Sequence, residues 1–392
     1  MSRSWVAPVL FGLILLPAGL EAQSLGAAEG LGSPIEALDA RSRALGGVGI
    51  GLRPAGLSMT DPAAMADLFI PSLDFSLQTS WVNVDENGNA SEFTGTRFPV
   101  LGVTYPIPNL GVFSLAFGTV MDQGFTVTSS SEIALEGTGS RAKVTDEFFS
   151  EGGIAALRLG FARRINPTFA VGGTIGSYTG DVTRAFTRTF DSLLVETSVP
   201  DFTIGGQWRY SGIVSSLGAS ADLAGIIRLA GSVNFGGTLD AKPTDDTEGG
   251  ASSFSMPTEL RVGASGVLSD RLSLNVGMTR ADWSAAGEGY TGVDGHAVTA
   301  LGAGLELSGA SVLGKTSALR LGYHSSGLPF GPTGLAKPKD SYFAAGLGMD
   351  LLTSGAVVMA GADFSLERGT RNIGTISENY WRFAVSVRMS GF

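Results

Sequence analysis

The sequence predicts an all-β membrane protein, a 14-stranded antiparallel transmembrane β-barrel with an N-terminal plug, or hatch, segment. Three observations carry that prediction. Apolar residues recur at alternate positions in about fourteen strand-length runs. The connections between runs alternate between short and long, and the chain opens on an export signal with no later segment able to span as a helix.

The export signal is read over residues 1–22, where "MSRS" carries one Arg, "VLFGLILL" is apolar and "AGLEA" ends on small residues, with cleavage expected after Ala22. Its apolar run is far shorter than the ~20 residues a spanning helix needs. The chain is 43% hydrophobic and only 16% charged, and its 57 glycines in 392 residues are about twice the usual share. An exported chain with scattered apolar residues then satisfies its backbone in lipid by closing a barrel. The soluble alternative is a secreted β-sandwich.

The alternating runs fall near residues 72–82, 97–106, 111–121, 152–163, 168–180, 202–221, 226–240, 257–268, 271–282, 296–307, 317–325, 341–349, 355–367 and 379–389. Short connections ("IPNL", "RINP", "DLAG", "SD") alternate with long ones at 83–96, 122–151, 181–201, 241–256, 283–295, 326–340 and 368–378. Short periplasmic turns and long external loops mark an outer-membrane barrel, whereas Greek-key crossings would not order them so regularly. In "DRLSLNVGMTR", Leu272, Leu274, Val276 and Met278 take the lipid face, and Ser273, Asn275, Gly277 and Thr279 the lumen. The same parity sends Arg158, Arg209, Arg228, Glu259, Arg261, Arg320, Asp363 and Arg382 inward, because a charge on the lipid face costs roughly 2–4 kcal/mol at mid-membrane. Trp81, Tyr105, Trp208, Tyr210, Trp283, Tyr323 and Trp381 lie near predicted strand ends, as an interfacial girdle requires. The last run, "NYWRFAVSVRMSGF", ends on Phe392 in the manner of barrels presented to the assembly machinery, although Phe392 breaks the parity of its strand.

Composition narrows the chemistry. Without cysteine there are no disulfides or thiolate metal sites, and two histidines allow no His-rich centre, so no metal and no cofactor is expected. A net charge of -10 argues against a nucleic-acid partner. Asp294 and His296, two apart, share a strand face, whereas the adjacent His324 and Ser325 point to opposite faces and cannot pair; all four are more simply read as surface polar residues in loops. An enzyme is therefore not expected. Nor does the glycine-rich stretch Ala44 to Leu68 cradle a phosphate: in a G-x-G-x-x-G reading from Gly47 or Gly49 the third position falls on Leu52 or Pro54.

That stretch lies instead in residues 23–70, between the signal and the barrel of 71–392, where a lumen-filling segment fits. Glycine lets its backbone approach a curved wall, and "SPIEALDARSRAL" carries helix signals, with Ser33 as N-cap before Pro34. A disordered periplasmic leader is the alternative. At this point the sequence resembles the FadL/TodX family of outer-membrane long-chain fatty acid and hydrocarbon transporters. Arg43, Ala44, Leu45, Gly46 and Gly47 stand for its hatch motif "RAMGGA", and Asp61, Pro62 and Ala63 for "NPA", with Asp replacing Asn. "PTELRVGASGVLSDRLSLNVGMTRADWS" and "LRLGYHSSGLPFGPTG…KDSYFAAGLGMDL" resemble its later strands.

The resemblance implies that external loops capture a hydrophobic ligand, that it enters a luminal pocket, and that it leaves sideways through a gap made by a kinked strand as the hatch shifts. The residues allow this. Phe125, Val127, Ile133 and Leu135 make one predicted loop apolar, Phe186, Phe190, Leu193 and Leu194 the next, and Leu328, Phe330 and Leu335 a later one. Arg261 and Arg320 are the candidate anchors for a carboxylate head group, with pairing to Glu259, Asp363 or Glu367 as the structural alternative. The expected function is uptake of long-chain fatty acids or similar molecules by diffusion through a monomeric barrel in the outer membrane of a diderm bacterium. The alternative is a non-transporting barrel that serves as scaffold or shuttle of a secretion system; a filled lumen disfavours an open porin.

Overall fold

The computed structural model describes residues 30–391 except 54, 87–88, 135–140, 191–200, 245–246, 248, 289, 291 and 356. The signal region 1–22, Leu135, Leu193, Leu194 and Phe392 lie outside the described residues. Fourteen antiparallel strands form the wall. They are β1 (Ser72–Glu86), β2 (Asn89–Ile107), β3 (Gly111–Asp122), β4 (Arg141–Arg164), β5 (Phe169–Phe190), β6 (Phe202–Leu223) and β7 (Ile227–Phe235). The second half holds β8 (Thr258–Val267), β9 (Leu272–Asp282), β10 (Ala297–Val312), β11 (Lys315–Gly327), β12 (Lys339–Ser354), β13 (Val357–Ile373) and β14 (Ile376–Ser390). Pairing of β1 with β14, from Ser72 opposite Ser390 to Glu86 opposite Ile376, closes the barrel.

Alternation fixes what each face meets. Outward residues such as Leu157, Leu159, Leu217, Leu260 and Leu321 are exposed and apolar, as a lipid band requires. Trp81, Tyr105, Tyr323 and Trp381 point outward at its borders. Trp208, Tyr210 and Trp283 do not join them: Tyr210 and Trp283 are buried inside the lumen, with Trp208 packed against their cluster.

The long connections are shorter than the alternation predicts. Strand continues through most of 83–96, 122–151 and 368–378 and through 181–190, so β4 and β5 run to 24 and 22 residues and Phe125–Ala134 pairs with the upper part of β4. Phe186 and Phe190 therefore sit on β5 and not in a loop. Above the membrane both faces of a strand meet water, which removes the apolar alternation the reading depends on. Arg209 is a correction of the same origin: it points outward, bonded to Asp181 at 3.0 Å, with both side chains well exposed beyond the lipid band.

One seam is incomplete. The ladder between β2 and β3 runs from Ile107 opposite Gly111 only to Leu101 opposite Phe117. Just above, β2 bulges, with Phe98 and Pro99 together opposing Leu77 of β1, and Pro99 has no N–H to offer. β3 bulges at Val120 and breaks at Gln123–Gly124. The free edge of β3 is taken by Ser33 and Pro34, which pair with Asp122 and Met121, while the Ile35 N–H donates to the Val120 carbonyl at 2.8 Å. Ser33 therefore begins a two-residue strand and caps no helix. The helix α1 (Ala40–Ala44) starts later, with the Asp39 carboxylate accepting from the Ser42 N–H at 2.8 Å.

Candidate functional site

Residues 30–71 pack against the inward faces of the wall through the motif residues singled out from sequence. Gly46 and Gly47 have φ of +76° and +74°, which an L side chain rarely adopts. A methyl group on Gly46 would strike the Tyr323 carbonyl, and one on Gly47 would lie 2.8 Å from His324 Nδ1 and from the Tyr342 hydroxyl. Arg43 donates to both oxygens of Glu367 at 2.6 and 3.2 Å, and Arg382 adds a third bond to that carboxylate at 2.9 Å. Asp61 accepts from the N–H groups of Gly51 (3.1 Å) and Ala64 (3.2 Å), and Pro62 and Ala63 press on the wall glycines, Pro62 on Gly172 and Gly218 and Ala63 on Gly172. At the short-turn end, Asp67 is gripped by Arg164 and Arg228.

Above this segment lies a cavity of about 190 Å³ with two chemically different sides. Its apolar side is built from Tyr178, Met256, Trp283, Val298, Leu328 and Pro329. Over it, Phe330 meets Trp283 edge-to-face with centroids 5.8 Å apart, beside Leu31 of the N-terminal segment, so an aromatic lid closes the external end. Six arginines, Arg43, Arg97, Arg158, Arg261, Arg371 and Arg382, line the rest. Arg371 is bound by Asp340 (3.3 Å) and Glu378 (2.9 Å).

The two candidate anchors part company. Arg261 lines the cavity, bonded to Glu259 at 2.6 Å. Arg320 does not; its guanidinium is consumed by Glu306 and Asp363, each at 2.6 Å, and Glu306 also takes Arg41 at 2.9 Å. Phe330 belongs to the lid, and Phe186 pairs with Phe148 on the external strand extension, centroids 4.8 Å apart. Sequence reasoning missed Arg97. Its signal was Pro99 two residues later, which marks the bulge that turns this part of β2 toward the open seam. Among the described residues Arg97 has no carboxylate within ion-pair range; the Gln78 amide oxygen, turned toward it, accepts at 2.6 Å. His324 is buried and Ser325 exposed on the opposite face, as alternation requires.

A family model described as BamG matches residues 9–206, half of the chain. The chain belongs to the BamG family. No curated protein matches its sequence. Among solved structures, a FadL homologue from Pseudomonas aeruginosa is similar at 12% identity, covering 92% of this chain and 100% of that one, with a TM-score of 0.62. The Ralstonia pickettii toluene transporter TbuX is similar at 13% identity, 91% and 98% coverage and a TM-score of 0.58. The CymD monoaromatic hydrocarbon channel follows at 15% identity, 90% and 97% coverage and a TM-score of 0.56. The FadL/TodX resemblance read from the hatch motif and the late strands is thus matched across the whole barrel of this BamG-family chain. Its fold is that of outer-membrane channels.

Proposed function

We propose that this BamG-family barrel is an outer-membrane channel for hydrophobic small molecules, long-chain fatty acids among them, and that residues 30–70 act as its hatch. The observation that carries the reading is the two-sided cavity beside an interrupted seam. An amphiphile lays its chain against Tyr178, Met256 and Trp283 and its head toward the arginines, then leaves between β2 and β3 once residues 33–35 release the β3 edge. The cavity is smaller than the roughly 300–1,000 Å³ of ordinary ligand sites, so a long chain is accommodated only as the hatch retreats. Phe186 and Phe190, on the external extension, and Leu194 beyond them offer apolar surface for first capture. Removal of residues 1–22 on export, assembly through β14 and a monomeric state complete the proposal.

Arg261 is the anchor this reading assigns, and Arg320 a wall support. Titration of the reconstituted chain with dodecanoate, followed by tryptophan emission from Trp283, is expected to saturate, to weaken in Arg261→Ala and to hold in Arg320→Ala. The ionic lining and closed lid favour a second reading, a non-transporting scaffold barrel. A flat titration by a folded, heat-modifiable barrel would select it.

A further inference from the structure

One carboxylate of the cavity, which the proposed function leaves unused, has no ion pair among the described residues. Glu36, between the β3-paired residues 33–35 and α1, lines the same space as the six arginines. Its carbonyl accepts from the Leu38 N–H at 2.8 Å, but among the described residues its carboxylate makes no ion pair and no hydrogen bond, and it meets Arg43 and Tyr342 only through longer-range electrostatics. The other lining carboxylates are all held. Glu259 is bonded to Arg261 at 2.6 Å, Asp340 to Arg371 at 3.3 Å and to the Tyr380 hydroxyl at 2.7 Å, and Asp122 accepts from the Gly124 N–H at 3.0 Å. On the cationic side, Arg97 and Arg158 have no carboxylate in range among the described residues; Arg158 donates to the Asn234 amide oxygen at 3.2 Å. Two guanidiniums and one carboxylate therefore line a single cavity without a direct ion pair and meet opposite charge only through longer-range attraction, Arg97 to Asp122, Arg158 to Glu259 and Glu36 to Arg43.

The position of Glu36 in the chain gives that arrangement a consequence. The preceding residue, Ile35, donates to the Val120 carbonyl, and Ser33 and Pro34 occupy the free edge of β3. Any displacement of the Glu36 carboxylate pulls on that short ladder, which is the closure of the interrupted seam. We infer that Glu36 is a resident counter-anion of the arginine-lined cavity, and that the acid group of an incoming amphiphile takes its place and thereby draws residues 33–35 off β3. The inference rests on the reading of the barrel as a channel and adds to it which ligands open the seam. Two anions confined together repel strongly in a low-dielectric space, so an acid expels Glu36, whereas a neutral molecule of the same chain length leaves it seated.

The absence of native cysteine makes the test direct, because Ser33→Cys supplies a unique thiol on the closing strand. In the reconstituted full chain, dodecanoate is expected to speed thiol labelling about tenfold and dodecanol to leave it unchanged. Glu36→Gln in the same background is expected to label fast without ligand and to lose the response, while Glu36→Asp keeps it. Equal acceleration by dodecanol, or a Glu36→Gln protein that still labels slowly, overturns the inference. Tryptophan titration alongside separates the two levels. Binding of both amphiphiles with unchanged labelling removes the counter-anion role and leaves the channel; binding of neither removes both.

Discussion

Two neighbouring seams of this barrel solve the same problem differently. Between β14 and β1 the ladder is continuous over the whole of β1, and behind it Arg43, Arg382 and Glu367 join the N-terminal segment to the wall through buried, charge-assisted bonds. Two strands away, between β2 and β3, the ladder stops at Leu101 and Phe117, and what closes the rest is borrowed from the N-terminal segment. The first seam is permanent because both its edges are wall. The second is the one the proposed exit makes reversible, since Ser33 and Pro34 supply only a few backbone bonds to the β3 edge. Where sequence places a bulge, a proline and a strand break together, it marks the part of a closed sheet that can open.

The contrast can be broken most severely by making the second seam permanent. Pro34 and Met121 are register partners, and cross-strand Cα separations of about 4.5–5.5 Å suit a disulfide. Pro34→Cys with Met121→Cys, oxidised, is expected to stop dodecanoate flux into liposomes while the barrel stays heat-modifiable, and reduction is expected to restore it. Flux unaffected by the cross-link would place the exit elsewhere. Next in size is damage to the permanent seam. Glu367 is fully buried, and Glu367→Ala leaves Arg43 and Arg382 facing each other without it. A loss of about 3–5 kcal/mol is expected, read as a lower temperature at which the barrel loses its compact electrophoretic mobility. An unchanged transition would mean that the network contributes nothing to closure.

The wall was legible in the sequence and its decoration was not, for physical reasons. Leu272, Leu274, Val276 and Met278 announce a lipid face because lipid penalises every polar alternative. Thr187, Arg188 and Thr189 announce nothing, because both faces of β5 meet water at that height, and so strand was read there as loop. The arginines were placed inward correctly apart from Arg209, again on an external extension. Two of their partners were among the carboxylates named as the alternative, Glu259 for Arg261 and Asp363 for Arg320, whereas Arg43 and Glu367 lie 324 positions apart and no local pattern couples them. The hatch motif marked the residues that dock the segment, whereas the pairing of Ser33 and Pro34 with β3 depends on an edge that exists only in the folded wall.

Gly46→Ala sharpens the comparison from the hatch side. Its φ of +76° and its approach to the Tyr323 carbonyl leave no room for a side chain. A cost of about 1–3 kcal/mol is expected to fall on the docking of the segment and not on the wall. Trypsin cleavage after Arg41, which is followed by Ser42, is expected to quicken while the thermal transition of the barrel shifts little. A transition that drops as far as that of Glu367→Ala would show that hatch and permanent seam fold as one unit.

The smallest effect is expected where neither seam is touched. On the external extension, Arg188 donates to both oxygens of Asp146 at 2.6 Å. That hydrogen bond holds the Asp146 carboxyl below the usual carboxylate range, against a smaller opposing effect of desolvation. A carboxylate with a depressed folded value stabilises the fold above its unfolded value, about 3.9, and loses that contribution only as pH falls through the lower folded value. Arg188→Ala is therefore expected to lower the transition slightly between pH 5 and 8, solvent screening keeping the difference small, and to converge on the parent barrel in stronger acid, where Asp146 is protonated in both. An offset that persisted undiminished in strong acid would mean that Arg188 bears on the fold beyond its pairing with Asp146, and that the external extension is coupled to one of the seams below it.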